Sequence, residues 1–101
     1  MIFRRYNLFY LDMGNRDDRY DRVKPMIASG DIKIFSDIFK HVPKTVVAKD
    51  LGKKGDRFSQ LIKQPDGFIL KDLFLIATFC KIEESQVLRL VLNEYFANKQ
   101  K

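Results

Sequence analysis

From residue 19 onward, apolar residues recur in short clusters at helical spacing, separated by brief polar breaks. No alternating run predicts a strand after residue 13. Tyr20, Val23, Met26 and Ile27 predict a first helix over 19–28, with Asp17-Asp18 as its cap and Ser29-Gly30 as its stop. Pro25 inside it predicts either a kink or a start near Val23. Ile34, Phe35, Ile38, Phe39 and Val42 predict a second, short amphipathic helix that Pro43 interrupts. Pro43 suits the first position of a third helix, where its missing N–H is no loss. Val46, Val47 and Leu51 give that helix an inner face, and Gly52 ends it. Lys53-Lys54-Gly55 forms a tight polar turn. Asp56 is then placed to cap a fourth helix, 56–64, with Phe58, Leu61 and Ile62 inward and Arg57, Gln60 and Lys63 outward. Pro65-Asp66-Gly67 reads as a loop. A fifth helix covers 70–80, and a sixth runs from Glu83-Glu84, whose charges suit a helix N-terminus, to about Asn98.

The last two helices carry more apolar surface than one core face needs. Leu73, Phe74, Ile76, Ala77 and Cys80 make a wide inner face, and Leu75 and Phe79 fall on another. In the sixth helix Val87, Leu88, Val91, Leu92 and Tyr95 predict the core face, with Leu90 left over. A helix apolar on all sides is buried or forms an interface. Either the N-terminal helix covers this surface, or two copies meet there through Leu75, Phe79 and Leu90 as a homodimer.

The 101 residues, 46% apolar, suffice for one domain. Segment 1–16 is expected to be poorly structured, and 17–98 to be a single all-α domain. No run of 18 uncharged apolar residues exists, so no membrane span is expected. The first 13 residues carry Arg4, Arg5 and Asp12 and lack a cleavage site, which makes a poor signal peptide; Met13 reads as an alternative start. One cysteine and one histidine make neither a zinc site, nor a Cys/His catalytic pair with an orienting group, nor a disulfide framework. Cys80 reads as a core residue, His41 as a surface or boundary residue, and a lone reduced thiol suits the cytoplasm. No nucleophile–base pair or phosphate-cradling glycine loop is visible, so neither an enzyme nor a cofactor is expected.

Charge sharpens the picture. Between Lys40 and Lys63 seven cationic residues face Asp50 and Asp56, a net +5 of the whole chain's +6. Such a concentrated field suits a polyphosphate partner. It overlies two short helices, 44–51 and 56–64, joined at Gly52. Ala48 is small enough for a close helix crossing, Gly52 tolerates the turn conformation, and Phe58 packs the second helix back on the first.

Here the sequence resembles the lambda-repressor/Cro-like (XRE-type) helix-turn-helix family, which includes small DNA-binding proteins. Val47-Ala48-Lys49-Asp50-Leu51-Gly52 is similar to the family's leucine-alanine-x-x-leucine-glycine signature. Leu70, Leu73, Ile76-Ala77, Cys80 and Ile82 continue the likeness, which spans about 34–91. Lys44, Lys53, Ile62 and Lys81 depart from the family pattern. The resemblance implies a five-helix bundle, here with an additional N-terminal helix, and cytoplasmic transcriptional regulation by a protein that binds double-stranded DNA, often as a homodimer. With helix 56–64 in the major groove, Gly55, Asp56, Arg57, Ser59 and Gln60 are expected to meet bases, with Asp56 equally open to acting only as a cap. Lys44, Thr45, Lys53, Lys54 and Lys63 are expected to meet phosphates. The alternative is a protein-interaction module, such as an antitoxin-like adaptor, on the same bundle.

Overall fold

Three residues with left-handed backbone conformation, Gly30 (φ 86°), Gly52 (φ 71°) and Lys81 (φ 58°), stop three of the chain's helices. After each, the following amide reaches back into the last turn: Asp31 N–H to the Met26 carbonyl, Lys53 to Ala48 and Ile82 to Ala77. These bonds satisfy carbonyls that a helix end leaves open. Lys81 therefore fills the cap that a glycine would occupy with less steric cost.

The computed structural model describes residues 16–99. Expectations for residues 1–15, including a start at Met13, lie outside them. A 3-10 helix, η1 (Asp18–Arg22), runs into α1 (Val23–Ser29). Next come a second 3-10 helix, η2 (Phe35–Lys40), then α2 (Lys44–Leu51) and α3 (Gly55–Lys63). The 3-10 turn η3 (Pro65–Gly67) leads to α4 (Leu70–Cys80) and α5 (Glu84–Lys99). The described residues form an all-α fold with no strand.

The expected first helix is split. Its α-helical part starts at Val23, which puts Pro25 in the first turn, where an N–H has no intrahelical partner. The expected second α-helix is the 3-10 helix η2. The Asp37 carboxylate accepts the N–H groups of Lys33 (2.9 Å) and Ile34 (3.2 Å), winding a tight turn at its start. Its six residues exceed the three or four over which 3-10 geometry usually persists, and the Asp37 bonds help to hold it. Pro43 stands one position before α2, at its cap.

Four phenylalanines form the centre. Phe35 meets Phe39 at 5.3 Å and Phe68 at 5.2 Å, while Phe58 meets Phe39 at 5.5 Å and Phe68 at 5.7 Å, all edge to face. The pairs close a ring of contacts that ties α3 to η2 and to the segment entering α4. Each such pair adds about 0.5–1.5 kcal/mol beyond the area it buries.

The structure corrects two expectations about surplus apolar surface. Leu75, Phe79 and Leu90 are buried within the chain and offer no interface between copies. The N-terminal region covers the α4 side: Tyr20 lies 5.3 Å from Phe79, and Arg16 donates to the Phe79 carbonyl at 2.9 Å. The Tyr20 hydroxyl also donates to Asp50 of α2 at 2.6 Å. Burial, and then this bond to Asp50, hold the hydroxyl protonated well beyond the ordinary tyrosine range. Cys80 is a core residue, its thiol pushed up to about 12 chiefly by burial.

The second correction concerns α5. Its inner stripe is Val87, Leu90, Val91 and Glu94, whereas Leu92 and Tyr95 are 53% and 39% exposed. Two polar anchors turn the helix roughly one residue's angular step from the expected face. The Glu94 carboxylate accepts the Ser36 N–H at 2.7 Å, and the Asn93 amide donates to the Lys33 carbonyl at 3.0 Å.

Leu90→Asp should therefore cost more than about 3 kcal/mol of stability, and Leu92→Asp no more than about 0.5 kcal/mol, in urea unfolding. Equal losses would contradict this register.

Acid should loosen the N-terminal region. Bonds from Arg19 hold Asp17 at about 2 instead of the ordinary 3.8, and the Arg16 guanidinium lowers Asp21. A carboxylate lowered by folding stabilises above its unfolded pKa and loses that contribution as pH falls through its folded one. The melting temperature should thus fall between about pH 4 and pH 2. Asp17→Asn should remove part of that pH dependence; an unchanged profile would separate Asp17 from the acid response.

Candidate nucleic-acid interface

The basic segment folds into α2, the turn at Gly52 and α3, with the two helices packed against each other. Ala48 is buried in α2, as a close crossing requires. On α3, Phe58 and Leu61 are buried. At 100° per residue, that leaves Asp56, Gln60 and Lys63 along the middle of the opposite face, with Arg57 and Gln64 beside them. All five are exposed, as is Gly55, while Ser59 sits half-buried at the edge.

Arg57, Gln60, Leu61, Lys63, Gln64 and Gly67 line a shallow open depression of about 310 Å³. Gly67 permits a close wall there, because a Cβ would come within 3.2 Å of Leu61 Cδ2. Gln64 and Gly67 were not among the expected contacts. Gln64 was open to detection, since it continues the Arg57–Gln60 face at helical spacing.

Lys44, Lys49, Lys54, Arg57 and Lys63 are exposed and form no ion pair among the described residues. Thr45 is exposed beside Lys44 in the first turn of α2. Neither α2 nor α3 has a side-chain N-cap; α2 has no acidic residue in its first turn, whereas α3 has Asp56 there. A surface with these properties attracts anions. Lys49 belongs to this exposed set although it was counted only toward net charge.

Two expected roles change. Lys53 does not join the exposed cations, because its ammonium lies 3.0 Å from the carboxylate of Asp72, a buried residue of α4. A buried carboxylate demands a partner, and Lys53 bends inward to supply it. Asp56 does not cap its helix. The helix starts one residue earlier than expected, Lys54 holds the cap position, and Asp56 lies within the first turn.

The described residues thus form an all-helical fold with a two-helix unit and a basic outward surface. In comparison with known proteins, the chain matched no family model, no curated protein and no solved structure. Among the described residues, no helix is long and apolar enough to cross a membrane.

Lys53→Ala should cost about 1–3 kcal/mol in thermal unfolding, because it strands the Asp72 carboxylate. Lys54→Ala should stay within about 0.5 kcal/mol. If the two variants melt alike, the ion pair is not structural.

Proposed function

We propose that this protein is a cytoplasmic DNA-binding regulator that sets α3 into the major groove of duplex DNA, in the manner of the lambda-repressor/Cro-like proteins its sequence resembles. The observation that carries this reading is the outward face of α3: polar side chains fit for base edges, surrounded by cations with no partner among the described residues. Arg57 suits the O6 and N7 acceptors of guanine, and Gln60 suits adenine. Lys44, Thr45, Lys54 and Lys63 hold phosphates and set the register.

A second reading is a protein-interaction module. Leu92, Tyr95 and Phe96 are exposed on α5, opposite its buried stripe, and favour contact with another protein surface. That reading predicts no duplex binding even at low salt and a complex or self-association weakened by Leu92→Asp.

Titrating salt against binding of a duplex selected from a random pool separates the two. Contacts from Lys44, Lys54 and Lys63 predict a slope of log K on log salt of roughly −3 per copy. Replacing any one of them with alanine should reduce the slope by about 1. Arg57→Ala should cost about 1–3 kcal/mol and relax preference at one base pair. A wild-type chain that binds no duplex in low salt sinks the DNA reading.

A further inference from the structure

Within the Lys44–Lys63 surface there are two acidic residues, and they stand differently. Asp50 is engaged by the Tyr20 hydroxyl. The Asp56 side chain is exposed and has neither a hydrogen bond nor an ion pair among the described residues. It does not cap α3, and no side-chain bond within the described residues holds it in place. Its place is the middle of the outward face, one turn before Gln60, with Lys54 and Arg57 as its near neighbours in sequence.

A negative charge there opposes the affinity that the surrounding cations supply, since every duplex brings phosphates. It is useful where it discriminates. We propose that Asp56 is the specificity-determining residue of this surface, accepting the exocyclic amino group of a cytosine in the major groove. The proposal rests on the DNA-binding reading above.

The chemistry selects the base. An ionised carboxylate only accepts hydrogen bonds. Guanine presents N7 and O6, both acceptors, and thymine presents O4 beside a methyl group, so both repel it. Adenine offers its amino donor next to the N7 acceptor, which faces the second carboxylate oxygen. Cytosine offers the N4 amino donor with no acceptor beside it. Arg57 and Lys54 then supply attraction, while Asp56 rejects the wrong pair. A first-turn carboxylate also favours the helix dipole. That role is indifferent to the base, which is how the two are told apart.

The test selects bound duplexes from a random pool with the full chain as wild type, Asp56→Asn and Asp56→Ala, with circular dichroism as the folding control. Wild type should require cytosine at one position of each site, where guanine or thymine lowers affinity roughly 5- to 150-fold. Asp56→Asn should move the preference to adenine, whose N6 and N7 match a carboxamide. Asp56→Ala should flatten the preference at that position while binding random duplex more tightly. If both variants keep the wild-type preference at every position, Asp56 serves only its helix and the proposal is overturned. If wild type itself selects no sequence, the DNA reading has failed and takes this proposal with it, an outcome visible in the wild-type arm alone.

Discussion

The α3 side of the basic face depends on where Phe58 goes. Its ring is fully buried and packs edge to face against Phe39 and Phe68, which both meet Phe35. Once Phe58 and Leu61 are inside, helical geometry leaves no freedom for the others. Asp56, Gln60 and Lys63 must stand opposite them, and Arg57 must flank. The orientation of the outward face is therefore set by apolar packing, although the face itself is polar. Removing a ring would loosen the helix that carries the polar groups, so the stability of the core and the precision of the surface are one property.

Two polar contacts extend that control to the rest of the chain. Lys53 and Asp72 tie the turn between α2 and α3 to the first turn of α4. Tyr20 ties η1 to α2 through Asp50 and stacks beside Phe79 of α4. Each bond joins elements distant in sequence, and each uses a group that is buried or nearly so. Such groups are costly to leave unpaired, so an arrangement of the same helices that separated either pair would be penalised.

Local chemistry was legible in the sequence. The bounds of α4, the stops at Gly30 and Gly52, and the inward set of α3 follow from spacing and turn residues close at hand. What was hidden depended on distant partners. The inward bend of Lys53 follows from Asp72, and the register of α5 follows from Ser36 and Lys33, some sixty residues before their partners. Hydrophobicity alone ranks Leu92 above Glu94 as a core residue. It cannot register that the Ser36 N–H at the start of η2 takes the Glu94 carboxylate as its acceptor. The same blindness shifted Asp56 from first-turn residue to cap, because a one-residue difference in helix start leaves the pattern of apolar positions unchanged.

The two outward faces of the bundle thus arise by opposite routes. On α3 an aromatic ring goes in and charged groups come out. On α5 a carboxylate goes in, and Leu92, Tyr95 and Phe96 come out. Fully burying an aliphatic or aromatic side chain contributes about 1.5–3 kcal/mol, so the exposed α5 residues hold burial free energy that the single chain does not use. Glu94 keeps them outside because moving it to solvent would orphan the Ser36 N–H. The apolar character of α5's surface is therefore a consequence of how its inner face is anchored. Substituting those exposed residues should leave the fold intact, whereas any change to Glu94 would alter both faces at once.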